Sequence, residues 1–187
     1  MKLDPKTTAV LTLDIQEGLL GSVPGADVIL PNAAKMVEAA RKGGFHLFHV
    51  GVGFEPGYPE ISPNNKRFVA VKERGVFVKG SDTAKFHSCV YKPGDTVIYK
   101  HRYGAFSGNA LEMILRAQEI ETLVFFGLTT SGIVLSTLRL AYDLDFNCVV
   151  VKDACMDRDE EVHRVLTEKV FTAQGTVITA NEFVTLL

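Results

Sequence analysis

Short runs of aliphatic, β-branched and aromatic residues alternate along this chain with segments whose apolar residues recur at helical spacing. No other feature constrains the fold as strongly. The runs are "TTAVLTLDI" (7–15), "FHLFHVGV" (45–52), "TVIYK" (96–100), "TLVFFG" (122–127), "NCVVVKDA" (147–154) and "TVITA" (176–180). Nearly continuous apolar strands are buried on both faces, and strands that alternate with helices pair in parallel. The pattern therefore predicts a three-layer α/β/α, Rossmann-like arrangement around a mainly parallel sheet of about six strands. A chain of 187 residues has enough core for one such domain and too little for two, so residues 1–187 are read as one domain.

Punctuation supports the helices. "PNAAKMVEAARKGG" (31–44) has Pro31 for a first turn, Gly43 and Gly44 for a C-terminus, and Ala33, Ala34, Val37 and Ala40 on one face. "NKRFVAVKERG" (65–75) reads as a short helix. In "NALEMILRAQEI" (109–120), Asn109 and Glu112 stand at capping-box spacing. Ser131 is placed to cap the helix after the fourth strand. The last long helix, 157–171, has Val162, Val165, Leu166 and Val170 on one side and His163 among polar neighbours, where solvation is expected.

Composition removes whole classes of function. Net charge is −2 with Lys and Arg scattered, so no basic block offers itself to nucleic acid. No window approaches the ~18 apolar residues of a membrane span, and the first residues, "MKLDPKTTAVLTLD", lack the apolar segment of a secretory signal. Cys89, Cys148 and Cys155 are an odd, sparse set, which fits a reducing cytoplasm and neither a disulfide framework nor a zinc site. "GVGFEPG" completes no phosphate-loop pattern. No cofactor and no metal are expected. The five histidines sit at spacings that favour core or surface roles over ligation.

In an open parallel sheet, ligands bind beyond the carboxyl ends of the strands. Those ends carry Asp14, residues 49–53, Lys100, residues 128–131 and Asp153. The edge thus offers an acid, an ammonium and a turn whose N–H groups, at a helix N-terminus, favour an anion or a developing oxyanion. Burial would raise the Asp14 pKa and Lys100 would lower it, poising the pair for proton transfer. A buried ion pair that only holds the sheet together is the alternative reading. The Gly- and Pro-rich segment 53–65 is long for an idle connection and reads as a binding loop.

Three blocks carry a resemblance to a known family. "LTLDIQEGLL", the stretch "GDTVIYKHRYGAFSGNALEMILRAQEIETLVFFGLTTSGIVLSTLRLAYDLDF", and "VVVKDACMD" followed by "EVHRVL" resemble, in order and across nearly the whole chain, the isochorismatase-like or cysteine hydrolases. The resemblance implies that Asp14 is the general acid/base and that Lys100 supports it. It implies an oxyanion turn at Thr129, Thr130, Ser131 and Gly132, and a non-proline cis peptide at Leu128–Thr129. It also implies a homodimer or homotetramer acting on a small molecule.

The family's nucleophilic cysteine lies in a G-x-x-T-x-x-C-V pattern, and here that position is Ile133. The D-x-H metal pattern that nicotinamidases carry after the second strand is absent. An isoleucine cannot attack a carbonyl. The resemblance still implies an acid/base hydrolase of an amide or a vinyl ether without a thiol, since the family's isochorismatases use the aspartate and not the cysteine, and Ile133 would give it an apolar, shallow pocket floor. The alternatives are an inactive member that binds a small molecule or another chain, and a hydrolase whose nucleophile has moved to Ser131 or Thr130. Gln16, Tyr58, Asn64, Arg102, Tyr103 and Phe106 are the expected pocket residues.

Overall fold

A computed structural model describes residues 2–186. The six strands are β1 (Thr8–Leu13), β2 (His46–Val52), β3 (Thr96–Lys100), β4 (Thr122–Gly127), β5 (Asn147–Val151) and β6 (Thr176–Ile178). They form one sheet in the order β3-β2-β1-β4-β5-β6, every pair parallel. All six residues of β1 are buried, as are all but the first of β4. Successive strand residues point to opposite sides, so the centre of the sheet is covered on both faces. The helices are α1 (Glu17–Leu20), α2 (Leu30–Gly43), α3 (Lys66–Glu73), α4 (Leu111–Ala117), α5 (Leu135–Asp143), α6 (Glu160–Val165) and α7 (Ala180–Thr185). None is long and apolar enough to cross a membrane.

Helix α2 takes Pro31 in its first turn and ends on Gly44 at φ 73°, as its sequence implies. Other ends differ from the sequence reading. Asn109 accepts from Leu111 N at 2.9 Å, but the capping box with Glu112 does not form, because the helix starts two residues later. Ser131 caps nothing. Thr129 stands at the N-cap, and residues Thr130–Val134 form a widened turn before α5. Val162 is exposed, and the inward side of 157–171 is centred on Thr167. His163 is half-buried rather than solvated, its Nδ1 2.8 Å from Thr130 Oγ1.

The chain reverses its direction of sheet growth between β1 and β4, which places a crevice beyond their carboxyl ends. There Leu13 pairs with Gly127, and the approach is tight. Gly127 has φ 148°, and a Cβ on it would collide with the Leu13 carbonyl. Gly127→Ala should therefore cost about 3 kcal/mol or more, combining an unsuitable φ with a backbone clash. A urea titration reads this directly, and a midpoint equal to wild type would contradict it.

Candidate active site

Asp14 follows β1 at φ 57°, a left-handed conformation that aspartate tolerates better than most residues. Its N–H donates to Val50 O, and its carbonyl accepts from Gln16 N, both at 2.8 Å, so the backbone on either side of the turn is fixed. Lys100 ends β3, two strands away. Neighbouring strands lie about 4.8 Å apart, a gap the long lysine stem helps to cross. Lys100 Nζ sits 3.0 Å from Asp14 Oδ2 and donates to Arg102 O at 2.9 Å. Both charged groups are buried, Lys100 to 1% exposure. Burial pushes the Asp14 carboxyl up to about 6, with the Lys100 charge opposing the rise. Asp14 Oδ1 has no hydrogen-bond partner among the described residues. A buried carboxylate oxygen without a partner is uncommon where a side chain serves only structure.

The pair opens onto a cavity of about 650 Å³, within the range of small-molecule sites. Its wall includes Thr129, Ser131, Gly132 and Ile133, from the turn after β4. The Leu128–Thr129 peptide is cis. Gly132 leaves room for Thr129 Oγ1, which a Cβ there would approach to 2.7 Å. The turn is less free than its sequence suggests. Thr130 N donates to Met156 O, Gly132 N to Thr129 O, and Ser131 N to Asp157 Oδ2 at 2.6 Å. The Thr129 N–H has no acceptor among the described residues. The four-residue oxyanion turn thus reduces, at its first three N–H groups after Thr129, to amides already engaged.

Arg102 and Tyr103 line the cavity as expected. Four other expected pocket residues do not. Gln16 is fully buried and spends its side chain on backbone, donating to Val52 O and Ala84 O and accepting from Val52 N. Tyr58 is buried against Phe54, and its hydroxyl donates to Val76 O. Phe106 stacks on Phe146 in the core, 6.2 Å between ring centres. Asn64 is exposed on the loop away from the cavity wall. Asp153, at the end of β5, instead accepts from Ala180 N at 2.8 Å and holds the start of α7. His49 lies in the core between Thr12 and Asp95, and His101 faces Glu60 at 3.9 Å.

Sequence reasoning passed over Arg67 and Arg74 on and just after α3, and Asp157 and Arg158 after β5, all of which line the cavity. The Arg67 to Arg74 spacing of two helical turns was the available signal for the first pair. No thiol reaches the wall. Cys155 and Cys148 are buried, which raises their pKa values to about 12 and about 11. Cys89 is half-buried elsewhere. Among the described residues, no three His, Cys, Asp or Glu side chains cluster as a metal-binding set.

Comparison with known proteins gives this geometry its context. The chain is 30% identical over 190 residues to the uncharacterized isochorismatase family protein YecD of Escherichia coli O157:H7, covering all of both chains. It is 31% identical over 199 residues to the ureidoacrylate amidohydrolase RutB of Methylobacterium radiotolerans, covering 94% of this chain and 77% of that one. The N-carbamoylsarcosine amidase of Thermoplasma acidophilum superposes with a TM-score of 0.78 at 26% identity, over 97% of this chain and 98% of the other. Residues 8–182 match the Isochorismatase domain, and the chain belongs to the isochorismatase family of hydrolases.

Proposed function

We propose that the protein hydrolyses an amide C–N or vinyl-ether bond of a small molecule, with Asp14 as acid/base, Lys100 in support and water in place of a thiol nucleophile. The observation that carries this reading is the buried Asp14–Lys100 pair at the cavity, with one carboxylate oxygen on the ammonium and the other unpartnered. A carboxyl near 6 exchanges protons readily around neutrality, where acid/base catalysis is most effective. For a vinyl ether, protonated Asp14 would deliver a proton to the enol carbon, water would add to the resulting cation and return a proton to the Asp14 carboxylate, and the hemiketal so formed would break its ether C–O bond to release a ketone and an alcohol. For an amide, ionised Asp14 would take a proton from water as its oxygen bonds the carbonyl carbon, the Thr129 N–H would face the oxyanion, and Asp14 would then pass the proton to the leaving nitrogen as the C–N bond breaks.

Moving the nucleophile within the turn has less support. Thr130 Oγ1 has a base, His163, but is not on the cavity wall. Ser131 is on the wall, but its hydroxyl has no base within hydrogen-bond reach among the described residues. Activated nucleophiles need both. Ile133, 1% exposed at the family's cysteine position, favours a second reading, an inactive member that binds without turnover.

The test follows ammonia release from small amides and pyruvate release from isochorismate, with Asp14→Asn as control. Turnover that the control loses supports the hydrolase and names the bond. Absence of turnover across both arms shifts the weight to the binding reading.

A further inference from the structure

The chain has eight arginines, and how they are partnered is uneven. Arg41 pairs with Asp95 and Arg164 with Glu161 and Glu168. Arg116 bonds Leu144 O and lies over the Phe146 ring, Arg139 bonds Gln174, and Arg102 donates to the carbonyls of His101 and Glu60. Among the described residues, only the guanidinium groups of Arg67, Arg74 and Arg158 have neither an ion pair nor any hydrogen-bond acceptor, backbone carbonyls included. All three line the one cavity that holds Asp14 and Lys100.

Charge around that cavity is correspondingly one-sided. Five cationic side chains face two carboxylates, Asp14 and Asp157. Asp14 is matched by Lys100, and Asp157 receives the amides of Ser131 and Arg158. The guanidinium of Arg102, held over the Phe68 ring at 5.7 Å, adds a fixed charge between α3 and β3. The unmatched charge is therefore arginine, on two walls. Arg67 and Arg74 are spaced so that they project from one side of α3, and Arg158 belongs to the segment after β5. A guanidinium offers paired N–H donors that match the two oxygens of a carboxylate.

We propose that Arg67, Arg74 and Arg158 form an anion subsite, so that the substrate is a small molecule bearing at least one carboxylate remote from the bond that breaks. This assignment rests on the hydrolase reading for the word substrate, while the subsite stands on the arginines alone. Segregating an anion-binding end from a buried proton-transfer end fixes which part of the molecule meets Asp14. The hydrolytic step of such a substrate still needs only water, as above.

Calorimetric titration of the full chain with succinate and benzoate, beside their uncharged amides, tests this without turnover. Both carboxylates should bind, the amides should bind at least tenfold more weakly, and salt should weaken the carboxylates because exposed charges are screened. Arg74→Gln and Arg158→Gln, at exposed positions, should each reduce carboxylate affinity about tenfold with an unchanged unfolding midpoint. Equal binding of acid and amide, no binding of either acid, or undiminished affinity in both glutamine variants would overturn the subsite. Inorganic phosphate bound in preference to succinate would overturn its assignment to carboxylates. Carboxylate binding by the wild-type chain without hydrolysis removes the hydrolase reading alone, and hydrolysis of neutral amides with no carboxylate preference removes the subsite alone.

Discussion

Asp14→Asn is expected to reduce turnover by about 10²–10⁴-fold, the usual contribution of a positioned acid or base, while the protein remains folded. Asparagine is the informative replacement for two reasons. It keeps the shape of the side chain and an oxygen for Lys100 Nζ, now 3.0 Å from the carboxylate. It also tolerates the φ of 57° at this position, where most residues would add backbone strain to the result. The pH profile of kcat/KM then tells which proton transfer Asp14 performs. Its carboxyl is held near 6 by burial, against an ordinary value of 3.8. If Asp14 donates a proton to a vinyl ether, wild-type activity should fall as pH rises through about 6. If it accepts one from water attacking an amide, activity should rise through the same window. The asparagine variant should lose that limb in either case. A variant with wild-type turnover, or with the limb intact, would show that Asp14 is not the acid/base.

The sheet was legible because burial on both faces leaves its own mark, the near-continuous apolar run. The limits of β3 and β4 agree with their runs to the residue. Asp14 and Lys100 were legible for a related reason, since an ionisable residue directly at the end of such a run has few places to go except the crevice. Residues outside the regular elements were harder. Gln16 and Tyr58 carry polar atoms that look available in sequence, yet tertiary contacts commit those atoms to backbone carbonyls. Phe106 is as apolar as a pocket wall requires, and packing against Phe146 sent it to the core instead. The reverse holds for Arg67, Arg74 and Arg158. Each looks like a solvated surface charge in sequence, and only the placement of α3 and of the segment after β5 around one cavity brings them together. Two of the engaged amides of the β4 turn, those of Thr130 and Ser131, were hidden for the same reason, because their acceptors, Met156 and Asp157, lie more than twenty residues further along the chain.

Lys100→Met should destabilise the protein by about 3–5 kcal/mol near neutral pH, the typical cost of removing one partner from a buried ion pair. Methionine fills much of the volume of the lysine stem, so the loss is chiefly electrostatic. Asp14 would remain in a site that already raises its pKa through burial, with the opposing charge gone, and its carboxyl should climb above about 6. The sign of the pH dependence follows. In the unfolded chain the carboxyl ionises near 3.8, and in the folded variant it holds its proton to a higher pH than in wild type. Stability is then lost as pH rises from the unfolded value to the folded one, and the deficit is smallest in acid, where Asp14 is protonated in both states. Urea titrations of wild type and variant across that range measure it. The double variant Asp14→Asn/Lys100→Met should recover most of the loss, because neither buried charge remains. A single variant as stable as wild type at every pH would mean that the pair does not carry opposite charges. A double variant no better than the single would place the loss in the Lys100 bond to Arg102 O rather than in the ion pair. Activity separates the roles further: since Lys100 acts through Asp14, the pH limb of any remaining turnover in Lys100→Met should move upward with the carboxyl rather than disappear.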